Sequence, residues 1–586
     1  MNKIFQFICA AALICGLTAC EDFFDQESDS VIFAEKDHLN NATDTIYSVT
    51  GIMNKMQALA DRTVLLGEVR ADLVDINDNT DADLRDMALF NISDSNAYNA
   101  PKDYYAVINN CNYFLAKADT TLKNNRNEKI FQKEYAAVKA FRAWTYLQLV
   151  LNYGSVPFVT EPILTKEAAE SNYPKYNIQQ VCEYFINDLK GWENIDMPGY
   201  GTVGSSDSRF FYYPINVLLG DLNLWAGNYL EAAKNYYGYI SKRNGTNSAY
   251  PTTTNAASWD RDGTKYIRPN SAPWSGSFFG SSSENYNNTS ELIFMIAGDS
   301  IPAYGNYSQL KTLFCSSSDN DYEVQLTPSQ AIIDLSADQV YCQYTSTGDT
   351  IYVPKGLGSN MDGDLRLSSC WTTGTITYKK RNIDFQSVAK FNGIRNVHLL
   401  RRANVYLRFA EAINRAGYPR MAFQVLQTGL NNDVIDQRVI PYYGADSTVI
   451  RQFDFPTTNY VLRTNTATTG TNTLGIHGRG SGWPEYNEYY TMPDDTTLSA
   501  AARLQYQIEA VEDLIIDEDA LETAFEGQRF YDLMRVALRR SDPSYLADRV
   551  YSRRGADNAA TMKSEIQKDL TNTSNWYLSW KGLIGF

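Results

Sequence analysis

Two helix-turn-helix segments constrain the fold of this chain more than any other feature of its sequence. The first spans residues 214–240, where a proline opens one helix and Gly227 turns the chain into the next. The second spans residues 399–430, and its turn glycine, Gly417, occupies the matching position. Helix pairs of about 30 residues that recur along a chain are typical of tetratricopeptide-like repeats, which stack to bury a shared core. The sequence therefore predicts a mainly α-helical scaffold.

A long helix is predicted over residues 131–152. Bulky residues such as Trp144 recur at helical spacing, and alanines such as Ala140 form a second stripe. A helix with these two stripes packs closely against neighbours on both sides. It ends before Gly154, as helices commonly do at a glycine. The predicted helical-repeat elements lie near residues 40–60, 131–152, 214–240, 399–430 and 517–540.

Three segments between these helices are predicted to be rich in loops. They lie near residues 61–110, 243–390 and 440–500. Residues 243–290 and 440–500 are dominated by Ser, Thr, Asn, Gly and Tyr, which favour turns over helices. Long loops held on a rigid scaffold are where binding usually resides. Residues 20–586 are accordingly predicted to form a single body with a helical-repeat side and a loop-rich ligand side.

Aromatic side chains in the loop-rich segments are candidates for ligand contacts. An exposed Trp or Tyr ring can cover the apolar face of a sugar ring, while neighbouring polar groups bind its hydroxyls. For each ring, burial beneath a loop is the alternative interpretation. The candidate residues are Trp259, Trp274, Tyr286 and Trp371.

Residues 75–86 read DINDNTDADLRD, and their oxygen-bearing side chains have the spacing of a calcium-binding loop. Thr80 replaces the expected glycine and Asp86 replaces the closing glutamate, so the match to calcium is weak. A solvated polar loop and a site for sugar hydroxyls are the alternatives. The residues proposed for sugar binding are Asp75, Asn77 and Asp81. The weak calcium ligands are Asp75, Asn77, Asn79, Asp81 and Asp86, and no other cofactor or metal is predicted.

Recognisable catalytic motifs are absent from the sequence. The three histidines lie far apart, and there is no HExxH zinc motif, GxSxG nucleophile motif or GxxxxGK[ST] phosphate loop. Paired glycosidase carboxylates stay open, since they share no local spacing. Four charged residues at helical spacing are predicted to share one helix face, either as an ion-paired network or as an acid/base pair. They are Glu522, Glu526, Arg529 and Asp532. The chain is predicted not to be an enzyme.

The N-terminal residues predict export and lipidation. Residues 1–19 contain an apolar stretch too short to span a membrane, and residues 17–20 read LTAC, the spacing of a bacterial lipoprotein cleavage site. Cleavage before Cys20 would leave this cysteine as a lipidated N-terminus. The acidic composition, with a formal net charge of −16, argues against a nucleic-acid partner.

The cysteines after Cys20 are odd in number, so they cannot all pair within one chain. None lies in a CxxC motif, which argues against a zinc ribbon or a thioredoxin-like site. Buried thiols are the expected state. A disulfide from Cys315 to Cys342 or Cys370 is the alternative.

Four segments of the chain resemble the SusD/RagB family of outer-membrane nutrient-binding lipoproteins. Residues 20–25 read CEDFFD, and residues 140–157 contain AFRAWTY followed by YGSVP. Residues 399–412 read LLRRANVYLRFAEA, and residues 525–535 read FEGQRFYDLMR, the most specific of the four. The segments follow the family's order and cover nearly the whole chain.

The resemblance implies a mainly α SusD-like body, with tetratricopeptide-like helix pairs on one side and a loop-rich ligand side. It also implies a lipid-anchored, surface-facing outer-membrane protein that binds glycans without catalysis. Its partner would be a SusC-like TonB-dependent transporter. An oligopeptide ligand, an envelope scaffold and a lipid-anchored glycosidase are the alternative functions. The glycine-rich residues 477–483 match no family motif and are left as a hinge, a barrel contact or a ligand contact.

Overall fold

The computed structural model describes the chain from residue 42 to residue 580 with several gaps. The described ranges are residues 42–203, 206–241, 257–259, 267–269, 291–298, 307–339, 342–344, 350–352, 363–391, 396–444, 447–455, 475–481 and 490–580. The residues predicted for lipidation and two of the predicted aromatic contacts, namely Cys20, Trp274 and Tyr286, lie outside them.

Most of the described chain is helical. The first helices are α1 (Ala42–Gln57), α2 (Ala60–Glu68), α3 (Ala82–Ala88), α4 (Pro101–Lys117), α5 (Gln132–Tyr153), α6 (Lys166–Ala169), α7 (Ile178–Leu189), α8 (Ile215–Trp225), α9 (Tyr229–Ile240), α10 (Leu310–Phe314) and α11 (Gln330–Ala337). Those that follow are α12 (Leu365–Cys370), α13 (Arg402–Arg415), α14 (Pro419–Gln427), α15 (Asn432–Val434), α16 (Ser447–Ile450), α17 (Gly478–Ser481), α18 (Ala500–Thr523), α19 (Arg529–Arg540), α20 (Ser544–Tyr551) and α21 (Ala559–Glu565).

The described strands form antiparallel two-stranded pairs. They are β1 (Val74–Ile76) with β9 (Leu326–Pro328), β2 (Ser155–Pro157) with β3 (Lys175–Asn177), β4 (Thr202–Val203) with β5 (Ser206–Asp207), β6 (Ala257–Trp259) with β7 (Ile267–Pro269), β8 (Leu292–Ile296) with β14 (Val397–Arg401), β10 (Cys342–Tyr344) with β11 (Thr350–Tyr352), and β12 (Trp371–Tyr378) with β13 (Arg381–Val388). The fold is mainly α, as the sequence predicts.

The helices pack as a continuous series of neighbours. α4 lies against α5, α7 lies against both α5 and α8, and α8 packs on α9. α9 in turn packs on α13, which contacts α14 and α18. Buried apolar side chains from all of these helices belong to one large core. This series corresponds to the helical-repeat side predicted from the sequence.

The two predicted helix pairs, α8–α9 and α13–α14, are joined by a buried polar contact. Asp221 of α8 accepts a hydrogen bond from the hydroxyl of Tyr236 in α9 at 2.7 Å and pairs with Arg408 of α13 at 2.8 Å. The helices of the first pair approach closely at Gly220, where an added Cβ would lie 2.4 Å from the Tyr236 ring. A glycine is therefore required at this contact, and the paired charge fixes the second hairpin against the first.

The segment predicted as loop-rich over residues 61–110 is instead half helical. It contains α3, most of α2 and the first ten residues of α4. Leu65 and Leu66, which the sequence places in a loop, are buried in α2. Asp81 caps α3 by accepting the N–H of Leu84, and Pro101 begins α4 at a position where its missing N–H costs nothing. Burial and local capping thus override the polar composition of this segment.

The single helix predicted over residues 517–540 is also wrong. α18 ends at Thr523 and α19 begins at Arg529, so Glu522, Glu526 and Asp532 do not share one helix face. In the intervening turn Phe525 and Gly527 adopt positive φ angles of 71° and 86°. Gly527 also packs on α2, since a Cβ at Gly67 would lie 1.9 Å from its carbonyl oxygen. This close contact between distant segments breaks the helix.

The disulfide alternative for Cys315 is contradicted. Cys315 and Cys370 are both free, buried thiols, as are Cys111 and Cys182. The Cys315 thiol donates to the carbonyl of Val388 at 3.3 Å, and burial raises its pKa. These cysteines therefore act as small apolar core residues.

Candidate functional site

A cluster of buried charged residues lies where the loop-rich segments meet the helical core. We call this cluster the charged base. Its members are Glu291, Asp364, Arg366, Lys390, Arg401, His477, Arg479, Glu518, Glu522 and Glu526. All are buried, and they come from six separate stretches of the sequence. Charges in such an environment are tolerated only when they are paired.

Glu522, at the end of α18, is the centre of the charged base and has no exposed surface. Its carboxylate accepts from Arg366 at 2.8 Å and from Arg401 at 2.7 Å, and it also pairs with Arg479. Burial alone would raise the pKa of Glu522, but the three guanidinium groups outweigh this effect and hold the pKa well below its usual range. Glu522 therefore remains ionised and joins three distant segments.

Further pairs extend the charged base around Glu522. Glu526 accepts from Lys390 at 2.6 Å and from Arg401 at 2.8 Å. Glu291 pairs with Arg479 at 2.6 Å. Burial opposes ionisation of Glu526, but its two cationic partners lower its pKa overall. The ion-paired interpretation of Glu522 and Glu526 is thus the one that the geometry supports.

Two other acids complete the charged base. Asp364 holds Arg366 through two parallel hydrogen bonds of 2.9 and 2.8 Å. Glu518 lies 2.8 Å from the Nδ1 atom of His477. Paired hydrogen bonds of this kind fix the orientation of a guanidinium group as well as its charge.

The glycine-rich residues that the sequence leaves unassigned contribute to this cluster. His477 and Arg479 are both buried in it. Gly480 packs directly on the carboxylate of Asp364, where an added Cβ would lie 2.1 Å from Oδ1. A side chain at Gly480 would push the two segments apart. At least residues 475–481 therefore form part of the base.

The charged base connects residues that lie within the predicted loop-rich segments to the helical core. In the sequence, Glu291 directly follows residues 243–290, and Arg479 lies within residues 440–500. Arg366 belongs to α12, in the segment predicted over residues 243–390. Removing one partner of a buried ion pair is strongly destabilising. The charged base therefore holds these chain segments at fixed positions on the core.

Two of the predicted aromatic residues belong to elements next to the charged base. Trp371 follows α12 and opens β12, where it is half-buried and packs against the main core. Trp259 is the last residue of β6, a strand that contacts α17. α12 contacts α17 and β7 as well. Both tryptophans are in strands and not in the loops that the sequence predicts.

Trp371 is in a strand because β12 pairs with β13 over its full length, with Trp371 opposite Val388. The β12 sequence is rich in threonine, whose branched side chain suits an extended backbone. Its polar residues suggested a loop, but their alternation with the apolar ones fits a hairpin with an exposed face. This hairpin presents Trp371 at its root, beside the charged base.

The side chains of the 75–86 segment mainly bind other groups of the protein. Asp75 lies in β1 and pairs with Arg554 at 2.9 Å. The Asn77 side chain donates to the carbonyl of Val324 at 3.1 Å and accepts from the N–H of Asn79 at 2.9 Å. Asp81 caps α3, Asn79 is exposed and Asp86 is half-buried. Among the described residues, no group of His, Cys, Asp and Glu side chains is arranged to hold a metal ion.

The 75–86 segment and the Trp371 hairpin both contact residues 321–325. Asp81 donates its N–H to Gln325 at 2.9 Å, next to the strand that pairs with β1. Asp321 in turn accepts from the hydroxyl of Tyr378, at the tip of the hairpin, at 2.7 Å. Residues 321–328 therefore connect the 75–86 segment with the tip of the hairpin, at the end opposite Trp371.

Sequence reasoning did not identify most members of the charged base. Arg366, Arg401 and Arg479 have no common spacing, and each meets Glu522 only through the tertiary fold.

No described helix has both the length and the apolar character needed to cross a bilayer. No protein-family model matches the sequence, and no curated protein matches it either.

Solved structures similar to this chain share its fold. A SusD superfamily protein from Bacteroides vulgatus ATCC 8482 aligns with a TM-score of 0.57 and 16% identity over 92% of this chain and 96% of that chain. A SusD superfamily protein from Bacteroides thetaiotaomicron VPI-5482 gives a TM-score of 0.53 and 15% identity over 85% and 89%. A third protein, from Bacteroides vulgatus ATCC 8482, to which sugar binding has been ascribed, gives 0.51 and 16% over 85% and 87%. The chain therefore has the SusD superfamily fold.

Proposed function

We propose that this chain is a SusD/RagB-type lipoprotein that captures glycans at the cell surface and delivers them to a SusC-like TonB-dependent transporter. Cys20 would carry the lipid that anchors it to the outer membrane. The SusD superfamily fold supports this proposal, as does the sugar binding ascribed to one of the similar proteins.

The observation that carries the proposal is the charged base beneath the tryptophan-bearing elements. It fixes α12 and α17, the helices beside Trp371 and Trp259. A rigid base lowers the cost of ordering a binding surface when a ligand arrives. Aromatic rings on such a surface can cover sugar rings, which have apolar faces and polar edges.

The electrostatics of Glu522 and Glu526, the central acids of the charged base, support a binding role without catalysis. A general acid in a glycosidase needs a raised pKa so that it is protonated near neutral pH. Arginine and lysine partners instead lower the pKa of Glu522 and Glu526 despite their burial. These two carboxylates stay ionised and engaged in ion pairs, so they stabilise the structure and have no proton to donate.

The test is native electrophoresis of residues 21–586 in gels that contain plant, microbial or host polysaccharides. Retardation by one glycan class, without release of reducing ends, is the expected result. Release of reducing ends would identify a glycosidase. Binding of a peptide mixture with no glycan retardation would favour an oligopeptide ligand, and binding of neither would favour an envelope scaffold.

A further inference from the structure

The outer edge of strand β12 presents unpaired main-chain groups. β12 and β13 form a hairpin with a two-residue turn, in which Lys379 and Lys380 have positive φ angles of 48° and 66°. In such a hairpin the residues that flank the turn, Tyr378 and Arg381, exchange their main-chain hydrogen bonds, and every second residue of the strand points its N–H and C=O outward. The outward-pointing residues of β12 include Thr373, Thr375 and Thr377. Among the described residues, none binds the main chain of these three on the outer edge.

This edge lacks the features that usually prevent strand pairing. β12 reads WTTGTITY, with no charged residue and no proline, and its register with β13 is continuous. Natural edge strands are commonly protected by charges, prolines or bulges. β13 contains Arg381 and Asp384, and its root is bridged to Cys315. β12 is therefore the open edge of this hairpin, and its outward-pointing threonines are exposed.

One face of the hairpin is apolar and has a gap. Ile376 lies opposite Ile383, and Gly374 lies opposite Phe385. The three apolar side chains are half-buried, whereas Thr375 on the other face is exposed. A Cβ added at Gly374 would meet no atom within 4 Å. The apolar face thus has room for a further side chain beside Gly374.

We propose that two copies of this chain pair through their β12 edges, in antiparallel orientation and with Thr375 opposite Thr375 of the second copy. This register places Thr373 of each copy opposite Thr377 of the other, so that the outward N–H and C=O groups form about six hydrogen bonds. It also places Ile376 of each copy opposite Gly374 of the other, where the Ile376 side chain fills the gap in the apolar face. The product is a four-stranded antiparallel sheet.

The sequence of β12 favours a second copy as its partner. Each chain has a formal net charge of −16, but the paired edges are uncharged, so their contact buries no charge. Threonines directly opposite each other stabilise antiparallel strands. A two-stranded hairpin is marginally stable, and further strands with a shared apolar face stabilise it. Because the contact involves one short strand from each copy, we expect a weak dimer. The pairing is independent of glycan capture, since its central threonines are not predicted glycan contacts.

Sedimentation equilibrium of residues 21–586 tests this pairing. Over concentrations from about 5 to 500 μM, we expect a monomer–dimer equilibrium with a Kd of about 100 μM. A protein that stays monomeric at about 500 μM would overturn the proposal.

Substitutions at the centre of the interface test the register. Thr375→Lys and Thr375→Glu each place two like charges opposite each other, so each alone should weaken the dimer by about fivefold. An equimolar mixture of the two variants should restore the Kd of the parent protein, because each lysine then faces a glutamate. Restoration in the mixture would also show that both variants are folded.

The matched control is Asn382→Lys, an exposed position on β13 away from the paired edge. It adds the same charge as Thr375→Lys and should change the Kd by less than about twofold. An added lysine reduces the net negative charge of the chain, so general repulsion between copies predicts a tighter dimer for Thr375→Lys, the opposite of the result expected here. A dimer that Thr375→Lys does not weaken, or a mixture that associates no better than either variant alone, would overturn the proposal.

Discussion

Replacement of Glu522 by glutamine should destabilise the protein more than any comparable surface change. The substitution keeps the size of the side chain but removes the negative charge that faces Arg366, Arg401 and Arg479. Loss of one partner from a buried ion pair costs about 3–5 kcal/mol, because the remaining charges stay buried without compensation. We therefore expect the free energy of unfolding to fall by about 4 kcal/mol.

Urea denaturation measures this loss, since urea is uncharged and leaves ion pairs unscreened. With an m-value of about 3 kcal/mol per molar, a loss of about 4 kcal/mol lowers the urea midpoint by roughly 1.3 M. The matched control is Glu565→Gln, which removes a carboxylate that is 39% exposed and paired with Arg554 at 2.9 Å. Such an exposed pair contributes less than about 1 kcal/mol.

The comparison between the two variants tests whether the charged base holds the chain segments together. Equal midpoint shifts for Glu522→Gln and Glu565→Gln would show that the charged base does not hold the segments together. A second readout is limited proteolysis near Arg366 and Arg479, where Glu522→Gln should expose new cleavage sites before the helical core unfolds.

Two further substitutions test the contact between α2 and the turn after α18. Gly67→Ala should lower the free energy of unfolding by about 3 kcal/mol or more in urea denaturation, because its Cβ would clash with the Gly527 carbonyl. Gly51→Ala, whose Cβ meets nothing within 4 Å, should instead stabilise α1 by up to about 1 kcal/mol, and equal effects would contradict the packing. Burial raises the pKa of Glu68 from 4.5 to about 7, although its Oε1 accepts the N–H of Gly527 at 2.7 Å. The unfolded chain thus loses this proton at lower pH than the folded protein, so stability falls as pH rises from about 4.5 to 7. Glu68→Gln should remove that fall. The free energy of unfolding of the variant, relative to that of the parent protein, should then be about 3 kcal/mol higher at pH 8 than at pH 4. A difference in the free energy of unfolding that does not change with pH would refute this prediction.

The helical pairs could be predicted from the sequence because their signals are local. Gly227 and Gly417 lie in the turns between the paired helices, and Gly154 ends α5 with a φ of 73°. Apolar periodicity and a turn glycine are readable over a few residues. The more specific SusD-like fold class came from the resemblance of four sequence segments to the SusD/RagB family, and not from these local signals.

The remaining errors have tertiary causes. The break at Phe525 and Gly527 depends on the approach of α2, which lies far away in the sequence. The loop assigned to Leu65 is helical because that residue is buried in the core. The charged base depends on pairs such as Arg401 with Glu522, 121 residues apart, for which no local pattern exists.

The candidate site could be predicted only in part. The sequence identified Trp371 as a contact candidate, but its strand follows from pairing with β13. Asp75 and Asp81 were singled out for their oxygens, and the structure uses them in an ion pair and a helix cap. Polar residue types alone do not distinguish groups that bind ligands from groups that satisfy the backbone.

The most direct test of glycan capture on the loop side is a calorimetric titration of the retarding glycan against two matched tryptophan variants. Trp371 and Trp192 are both half-buried and pack against the main core, but only Trp371 lies beside the charged base. We predict that Trp371→Ala weakens binding by about tenfold while Trp192→Ala changes it by less than about twofold. Unchanged affinity in Trp371→Ala, or a larger loss in Trp192→Ala, would contradict capture on the loop side.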